Sequence, residues 1–254
     1  MRLRVLGCSG GIGVGLRTTS MLIDHDILID AGSGVGELSL GEMARIKHIF
    51  LTHSHLDHIG FIPLLLDSIF DHIEEPIMVH GLPETIQALR MHIFNWVVWP
   101  DFSKLPDEEH PVVRFAEMRP GRPFVSGERT LEMLRVNHAV PGVGYRIECP
   151  GGVIAFSGDT TTNDEFWEAL NRRPRLDILI VEAAFSNRDE EISRMSRHFC
   201  ANLLAADMVK LRHTPEVYIT HNKPGEEAVI IAECQAAMPE RNVKPLLPNH
   251  VFEL

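Results

Sequence analysis

The sequence contains no apolar run long enough to cross a bilayer. Its opening, Met1-Arg2-Leu3-Arg4, leads into a short strand-like segment and then glycines, which is not the pattern of a secretory signal. The four cysteines, Cys8, Cys149, Cys200 and Cys234, show no paired spacing, so neither a disulfide framework nor a thiolate zinc site is indicated. Reduced, buried thiols and a cytoplasmic location are expected. Basic residues are scarce: 24 Lys and Arg against 35 Asp and Glu leave a net charge of −11. Such a chain has no general basic surface for a nucleic-acid backbone, so extended nucleic acid is not an expected partner. Linkers, internal repeats and low-complexity tracts are missing too, which points to one domain over residues 1–254.

What is abundant is histidine, and its placement is informative. Thr52-His53-Ser54-His55-Leu56-Asp57-His58 follows the apolar run Ile49-Phe50-Leu51 and packs three imidazoles and a carboxylate together. These are the ligand types of zinc and related first-row ions. So tight a spacing suggests a loop folded around metal rather than a structural helix. Three further candidates also stand just past apolar runs: His138 after Leu134-Arg135-Val136, Asp159 after Ile154-Ala155-Phe156, and His221 after Val217-Tyr218-Ile219. Strand ends are rigid platforms whose loops can converge on one edge. A binuclear arrangement divides the groups into His53, His55 and His138 for one ion and Asp57, His58 and His221 for the other, with Asp159 able to bridge. A water between two cations loses its proton readily and becomes a nucleophile at neutral pH. Zinc is the first choice for both divalent ions; Mn2+ or Fe2+ would suit the same nitrogen and oxygen donors.

The order of elements suggests layers. Strands are expected at 3–6, 20–23, 27–29, 46–51, 77–80, 131–136, 144–147, 153–156, 177–181 and 217–220. Helices are expected after Pro83-Glu84, around Leu204, Met208 and Leu211, and from Gly225 through Val229, Ala232 and Ala236. The stretch from Trp96 to Pro123 reads as an irregular connection, either shaping a pocket or simply packed on the surface. Strands in front and strand–helix alternation behind suggest stacked sheets with outer helices.

The histidine motif with a later His, Asp and His resembles the metallo-β-lactamase superfamily over essentially the whole chain. The resemblance implies an αββα four-layer sandwich with metals at one edge of the sheets. Within it, His53-Ser54-His55-Leu56-Asp57-His58-Ile59, Leu6-Gly7-Cys8-Ser9-Gly10-Gly11, Glu182-Ala183-Ala184-Phe185-Ser186-Asn187 and Thr220-His221-Asn222-Lys223-Pro224-Gly225 look like motifs of the class II cyclic-nucleotide phosphodiesterases. That implies hydrolysis of 3′,5′-cyclic AMP, cyclic GMP or both to 5′-nucleotides by a metal-bridged hydroxide, with Asp57 serving both metal and catalysis. Similarity also implies His198 as proton donor to the departing oxygen, oriented by Glu182. The bland alternatives are a polar helix-start histidine and a strand-end glutamate meeting solvent or a backbone amide. Two departures stand out: Arg197 occupies the place of a usual glycine before His198, and Asn222 that of a usual aliphatic residue.

Other residues support this reading less sharply. Asp30 could accept a ligand imidazole's second N–H, or cap the turn at Gly32-Ser33-Gly34. Gly7 to Gly15 reads as a tight turn near the metals, and Lys223 as either a phosphate partner or solvated surface. Asn95, Trp96, Trp99 and Phe102 could face a nucleobase, though core or subunit-contact roles fit slightly better. His25, His48, His72, His80, His92, His110, His213 and His250 lack neighbours of the right kind and read as structural or exposed. Dimers are common in the superfamily, so a homodimer is among the expected partners. The competing functions are an RNA 3′-processing nuclease of the same superfamily and a noncatalytic metal-binding regulatory protein.

Overall fold

The computed structural model describes all residues, 1–254. Two seven-stranded sheets form its centre. The first holds β1 (Arg2–Gly7), β2 (Ser20–Ile23), β3 (Ile27–Ile29), β4 (His48–Phe50), β5 (Ile77–Gly81) and β6 (Val113–Glu117) in that spatial order. The second holds β7 (Phe124–Ser126), β8 (Arg129–Arg135), β9 (Val143–Cys149), β10 (Gly152–Phe156), β11 (Ile178–Glu182), β12 (Glu216–Thr220) and β13 (Val243–Pro245). The last strand, β14 (Val251–Glu253), returns to pair antiparallel with β1.

Strand alternation divides the apolar residues among three layers. Ile27 and Ile29 of β3 face the other sheet, while Leu28 between them faces outward. Ile154 and Phe156 of β10 face inward and Val153 and Ala155 outward; Ile178 and Ile180 of β11 alternate with Leu179 and Val181 in the same way. Strands buried on both faces need apolar residues at every position, which is why these segments are continuous apolar runs. Between the sheets, Phe50 and Tyr145 lie edge to face, and the Tyr145 hydroxyl donates to the Leu51 carbonyl at 2.7 Å.

Helices cover both outer faces. On the first sheet lie α1 (Leu40–Met43), α2 (Leu56–Ile59), α3 (Ile62–Ser68) and α4 (Pro83–Ala88), the last running on as a π-helical turn over Leu89–Ile93. Met43, Ile59, Leu65 and Ile86 seal that layer. On the second lie α5 (Glu165–Asn171), α7 (Ala201–Met208) and α8 (Glu227–Ala237), preceded by α6 (Glu190–Ser196). The αββα sandwich is therefore present.

Several elements depart from the sequence reading. The segment 96–123 is not all irregular: Val113–Glu117 is the edge strand β6, parallel to β5. Within that stretch Phe102 is buried and Trp99 packs on the outer core, whereas Trp96 is exposed. The histidine cluster is a loop only to His55, after which Leu56–Ile59 forms one helical turn carrying Asp57 and His58. Strands β13 and β14 are three residues each, and β14 pairs with the opposite end of the chain. So short a segment carries too little periodicity to identify it alone.

Direction determines what the sandwich edge presents. Strands β10, β11 and β12 are mutually parallel, and β8 runs the same way because two antiparallel steps separate it from β10. Their carboxyl ends therefore share one edge, which places His138, Asp159, Glu182 and His221 together. The loop after β4 brings His53 to that edge through the Val143 N–H, which donates to the Thr52 carbonyl at 2.9 Å.

Candidate metal centre

The seven candidate ligands, dispersed over 169 positions from His53 to His221, converge into two sets that share one carboxylate. One set is His53, His55, His138 and Asp159; the other is Asp57, His58, His221 and Asp159, with all donor atoms of each set within 4.8 Å of one another. In the first, His138 Nε2 lies 3.1 Å from His55 Nδ1 and 3.8 Å from Asp159 Oδ2, which is 3.6 Å from His53 Nε2. In the second, His221 Nε2 lies 3.3 Å from Asp57 Oδ2 and 3.4 Å from Asp159 Oδ2, and His58 Nε2 is 3.4 Å from Asp159 Oδ1. Donors at ordinary zinc bond lengths stand about 3.3–3.6 Å apart along a tetrahedron's edge. The spacing suits a cation at the middle of each set.

The hydrogen bonding fits that group. The Nε2 atoms of His53 and His58 are buried without any hydrogen-bond partner, a costly state unless something else meets them. Their other nitrogens are engaged. His58 Nδ1 meets Asp30 Oδ2 at 2.7 Å, His53 Nδ1 meets Thr52 Oγ1 at 3.0 Å, and His138 Nδ1 meets the Arg197 carbonyl at 3.0 Å. An Nδ1–H given to an acceptor leaves Nε2 as a lone pair facing the cluster, the tautomer a metal requires.

Charge argues the same way. Burial holds His53, His55 and His138 below the usual imidazole range, so they are neutral donors. Burial opposes ionisation of Asp159, but its imidazole neighbours, His221 and His58 foremost, outweigh it and hold the carboxyl well below its ordinary value. His58 is the exception among the imidazoles. Burial would drive its proton off, yet Asp159 and Asp30 raise its affinity well above normal. The carboxylates thus call for positive charge at this point, which cations would supply in place of a proton.

Backbone strain gathers here as well. Asp30, Arg197 and His221 adopt left-handed φ values of 54°, 56° and 63°, and Gly158 adopts 59°. Such conformations are costly for non-glycine residues and persist where surroundings impose them. Asp30 is wholly buried and takes two bonds from Thr52, N–H and hydroxyl both at 2.8 Å, beside the one from His58. It is therefore a supporting group to His58, the first of the two roles its sequence context allows. Gly10 of the glycine turn sits where a Cβ would come within 2.4 Å of the His221 carbonyl.

His198 borders the cluster. Its ring stacks on His221 at 5.3 Å and lies edge-on to His138 at 4.9 Å. Nδ1 is 2.8 Å from Oε1 of Glu182, which is wholly buried at the end of β11. Glu182 also accepts from the backbone N–H groups of Thr160, Ala184 and Phe199, so it binds His198 and backbone amides at once and does not meet solvent. Burial disfavours the charged His198 ring, but the Glu182 carboxylate outweighs it and raises the proton affinity above an ordinary histidine's. Lys223 Nζ lies 5.7 Å from the Phe185 ring, which is itself in edge contact with His198, so a cation stands beside this corner. Asn222 uses its amide N–H to hold the Ala183 carbonyl at 2.7 Å, a link an aliphatic residue would lack. What the sequence reading did not foresee is Arg197's grip on His138; an arginine standing where glycine is usual was the available signal.

Outside the cluster, His48 Nδ1 and His80 Nε2 meet at 3.1 Å, with His80 stacked on Phe50. That pair stands outside both ligand sets.

A family model for the β-lactamase superfamily domain matches residues 25–237. The chain belongs to the metallo-β-lactamase superfamily. It is 26% identical over 247 residues to a 3′,5′-cyclic-nucleotide phosphodiesterase of Aliivibrio fischeri, covering 80% of this chain and 73% of that one. It is likewise 26% identical over 280 residues to a ribonuclease Z of a Bradyrhizobium species, covering 85% and 87%. The crystal structure of unliganded yeast PDE1 superposes with a TM-score of 0.83 at 18% identity, covering 100% of this chain and 99% of that one, a likeness of fold. The superfamily, the layered fold and a His/Asp cluster suited to divalent metal make this chain a metallo-β-lactamase-type hydrolase.

Proposed function

We propose that this hydrolase is a metal-dependent phosphodiesterase that opens 3′,5′-cyclic nucleotides, cyclic AMP or cyclic GMP, to 5′-nucleotides. The reading treats residues 1–254 as one hydrolase unit. The observation that carries it is the Glu182–His198 pair set against both ligand sets, at 2.8 Å, with the ring between His138 and His221. Two divalent ions held by the seven ligands would acidify a water and neutralise the phosphoryl oxygens. The chain's own residues supply the rest. Glu182 fixes the His198 ring through Nδ1, which leaves Nε2 to hold a proton for the 3′ oxygen as it leaves phosphorus. The raised proton affinity keeps that proton available near neutral pH. Lys223 adds positive charge on the same side for an anionic substrate.

A second reading, RNA 3′-processing, is favoured by the equal identity to a ribonuclease Z. The net charge of −11 opposes it, because long polyanions bind through many basic contacts. One assay separates the two. Zinc-loaded protein is offered cyclic AMP, cyclic GMP, an aryl phosphodiester and a tRNA precursor with a 3′ trailer. Release of 5′-nucleotide from a cyclic substrate is the expected result. Trimming of the precursor without attack on either cyclic nucleotide would transfer the assignment to the nuclease reading. No turnover of any substrate by fully loaded protein would favour the regulatory one.

A further inference from the structure

We propose that Arg197 is a positioning residue that locks His138 in the orientation of a metal ligand and ties it to the His198 loop. The inference rests on reading the His/Asp cluster as a metal site. Arg197 is the residue that ends α6, one position before His198, with φ 56° and ψ 51°. Glycine adopts that conformation freely, and an arginine there carries strain. Two bonds account for its retention in this fold. The Arg197 carbonyl accepts from His138 Nδ1 at 3.0 Å, and its guanidinium Nη1 donates to the His138 carbonyl at 2.9 Å. Both ends of one residue thus hold both ends of another, 59 positions away.

The two bonds do different work. The carbonyl bond sets the tautomer, leaving His138 Nε2 as a lone pair 3.1 Å from His55 Nδ1. A glycine would keep that bond. The guanidinium bond fixes the His138 backbone, which the carbonyl bond does not touch, and only the side chain supplies it. Because His138 belongs to the set with His53, His55 and Asp159, the effect falls on one ion and not on the other.

The test uses the full-length protein, stripped by chelator and titrated with Co2+ alone, whose visible spectrum reports ligand geometry, followed by Zn2+ competition. Arg197→Gly removes the guanidinium and the strain together; Arg197→Lys keeps a donor. Removing supporting contacts typically weakens metal binding 10–100-fold. Arg197 is solvent-exposed, so about threefold to tenfold is expected for the glycine variant, with the lysine variant between it and wild type. The weakening should fall on one of the two binding steps, with an altered Co2+ spectrum for that step. The thermal midpoint of metal-free protein should be unchanged or higher, since the strain is gone. Equal affinity in wild type and Arg197→Gly, or equal weakening of both steps, would overturn the proposal alone. A wild-type protein that takes up no Co2+ would instead remove the metal reading beneath it. Should the glycine variant fail to fold, the lysine variant decides by the same two readouts.

Discussion

Replacing Asp30 by Asn should separate metal binding from folding. Asp30 is wholly buried and accepts from His58 Nδ1, the Thr52 N–H and the Thr52 hydroxyl at 2.7, 2.8 and 2.8 Å. Asparagine has the same shape and is well tolerated at the left-handed φ of 54° that this position requires. Its carbonyl can keep the Thr52 N–H. Its amide must then face His58 Nδ1 as a donor, so His58 Nδ1 becomes the acceptor and the ring proton moves to Nε2. That is the atom that would face the metal. To bind an ion the ring must shift its proton back and set two N–H groups against each other, a loss of about 1–3 kcal/mol. At 1.4 kcal/mol per tenfold, Zn2+ affinity should fall roughly 5–150-fold. The metal-free protein should lose about 1 kcal/mol, because the Thr52 N–H and His58 keep partners and only the Thr52 hydroxyl loses its acceptor. Asp30→Ala, by contrast, strands the Thr52 N–H and His58 and should cost about 3–5 kcal/mol of stability. Zn2+ competition against a chromophoric chelator, paired with melting curves in chelator, measures both quantities. An Asn variant that holds Zn2+ as tightly as wild type would refute the tautomer argument.

Further outcomes follow from the same geometry. Asp159→Ala should lower both metal content and turnover, since both ligand sets share that carboxylate; metal analysis showing two ions per chain would reject the sharing. His198→Ala should slow turnover about 100-fold or more with metal content retained, and an unchanged rate would dismiss it as proton donor. Glu182→Gln removes the charge that raises His198, so the protonated ring should be lost at lower pH and activity should fall more at about pH 8 than at about pH 6; parallel pH–rate profiles would contradict this. Asp26 tests an ion pair remote from the metals. Burial opposes its charge, but the Arg129 guanidinium, at 2.6 and 2.8 Å from its two oxygens, outweighs burial and depresses its pKa. A depressed carboxyl contributes stability above its unfolded pKa of about 3.9 and loses it as pH falls through the folded value. Asp26→Asn should therefore cost up to about 1 kcal/mol near neutrality, limited by solvent screening, with the difference vanishing in acid melts.

Much of the candidate site was legible because clustered imidazoles and carboxylates are unusual chemistry in unusual spacing. Three histidines and an aspartate within six residues have few structural reasons to occur together, so His53, His55, Asp57 and His58 were visible at once. His138 was visible because it follows the alternating strand Leu131-Glu132-Met133-Leu134-Arg135, and Asp159 and His221 because each follows a run apolar at every position, the mark of a strand buried on both faces. Strands β3, β10 and β11 were legible for the same reason. What the sequence did not contain is the pairing across distance. That Glu182 reaches His198, that Asp30 reaches His58, and that Arg197 holds His138 depends on parallel strands aligning their ends and on loops meeting over them. The edge strands β6, β13 and β14 were hidden for a related cause. Short segments acquire strand geometry from the neighbour they pair with, and β14 finds its neighbour β1 only when the chain's two ends meet. Residue chemistry is local and can be read in a line; hydrogen-bond partners and tautomers are set by contacts that exist only after folding.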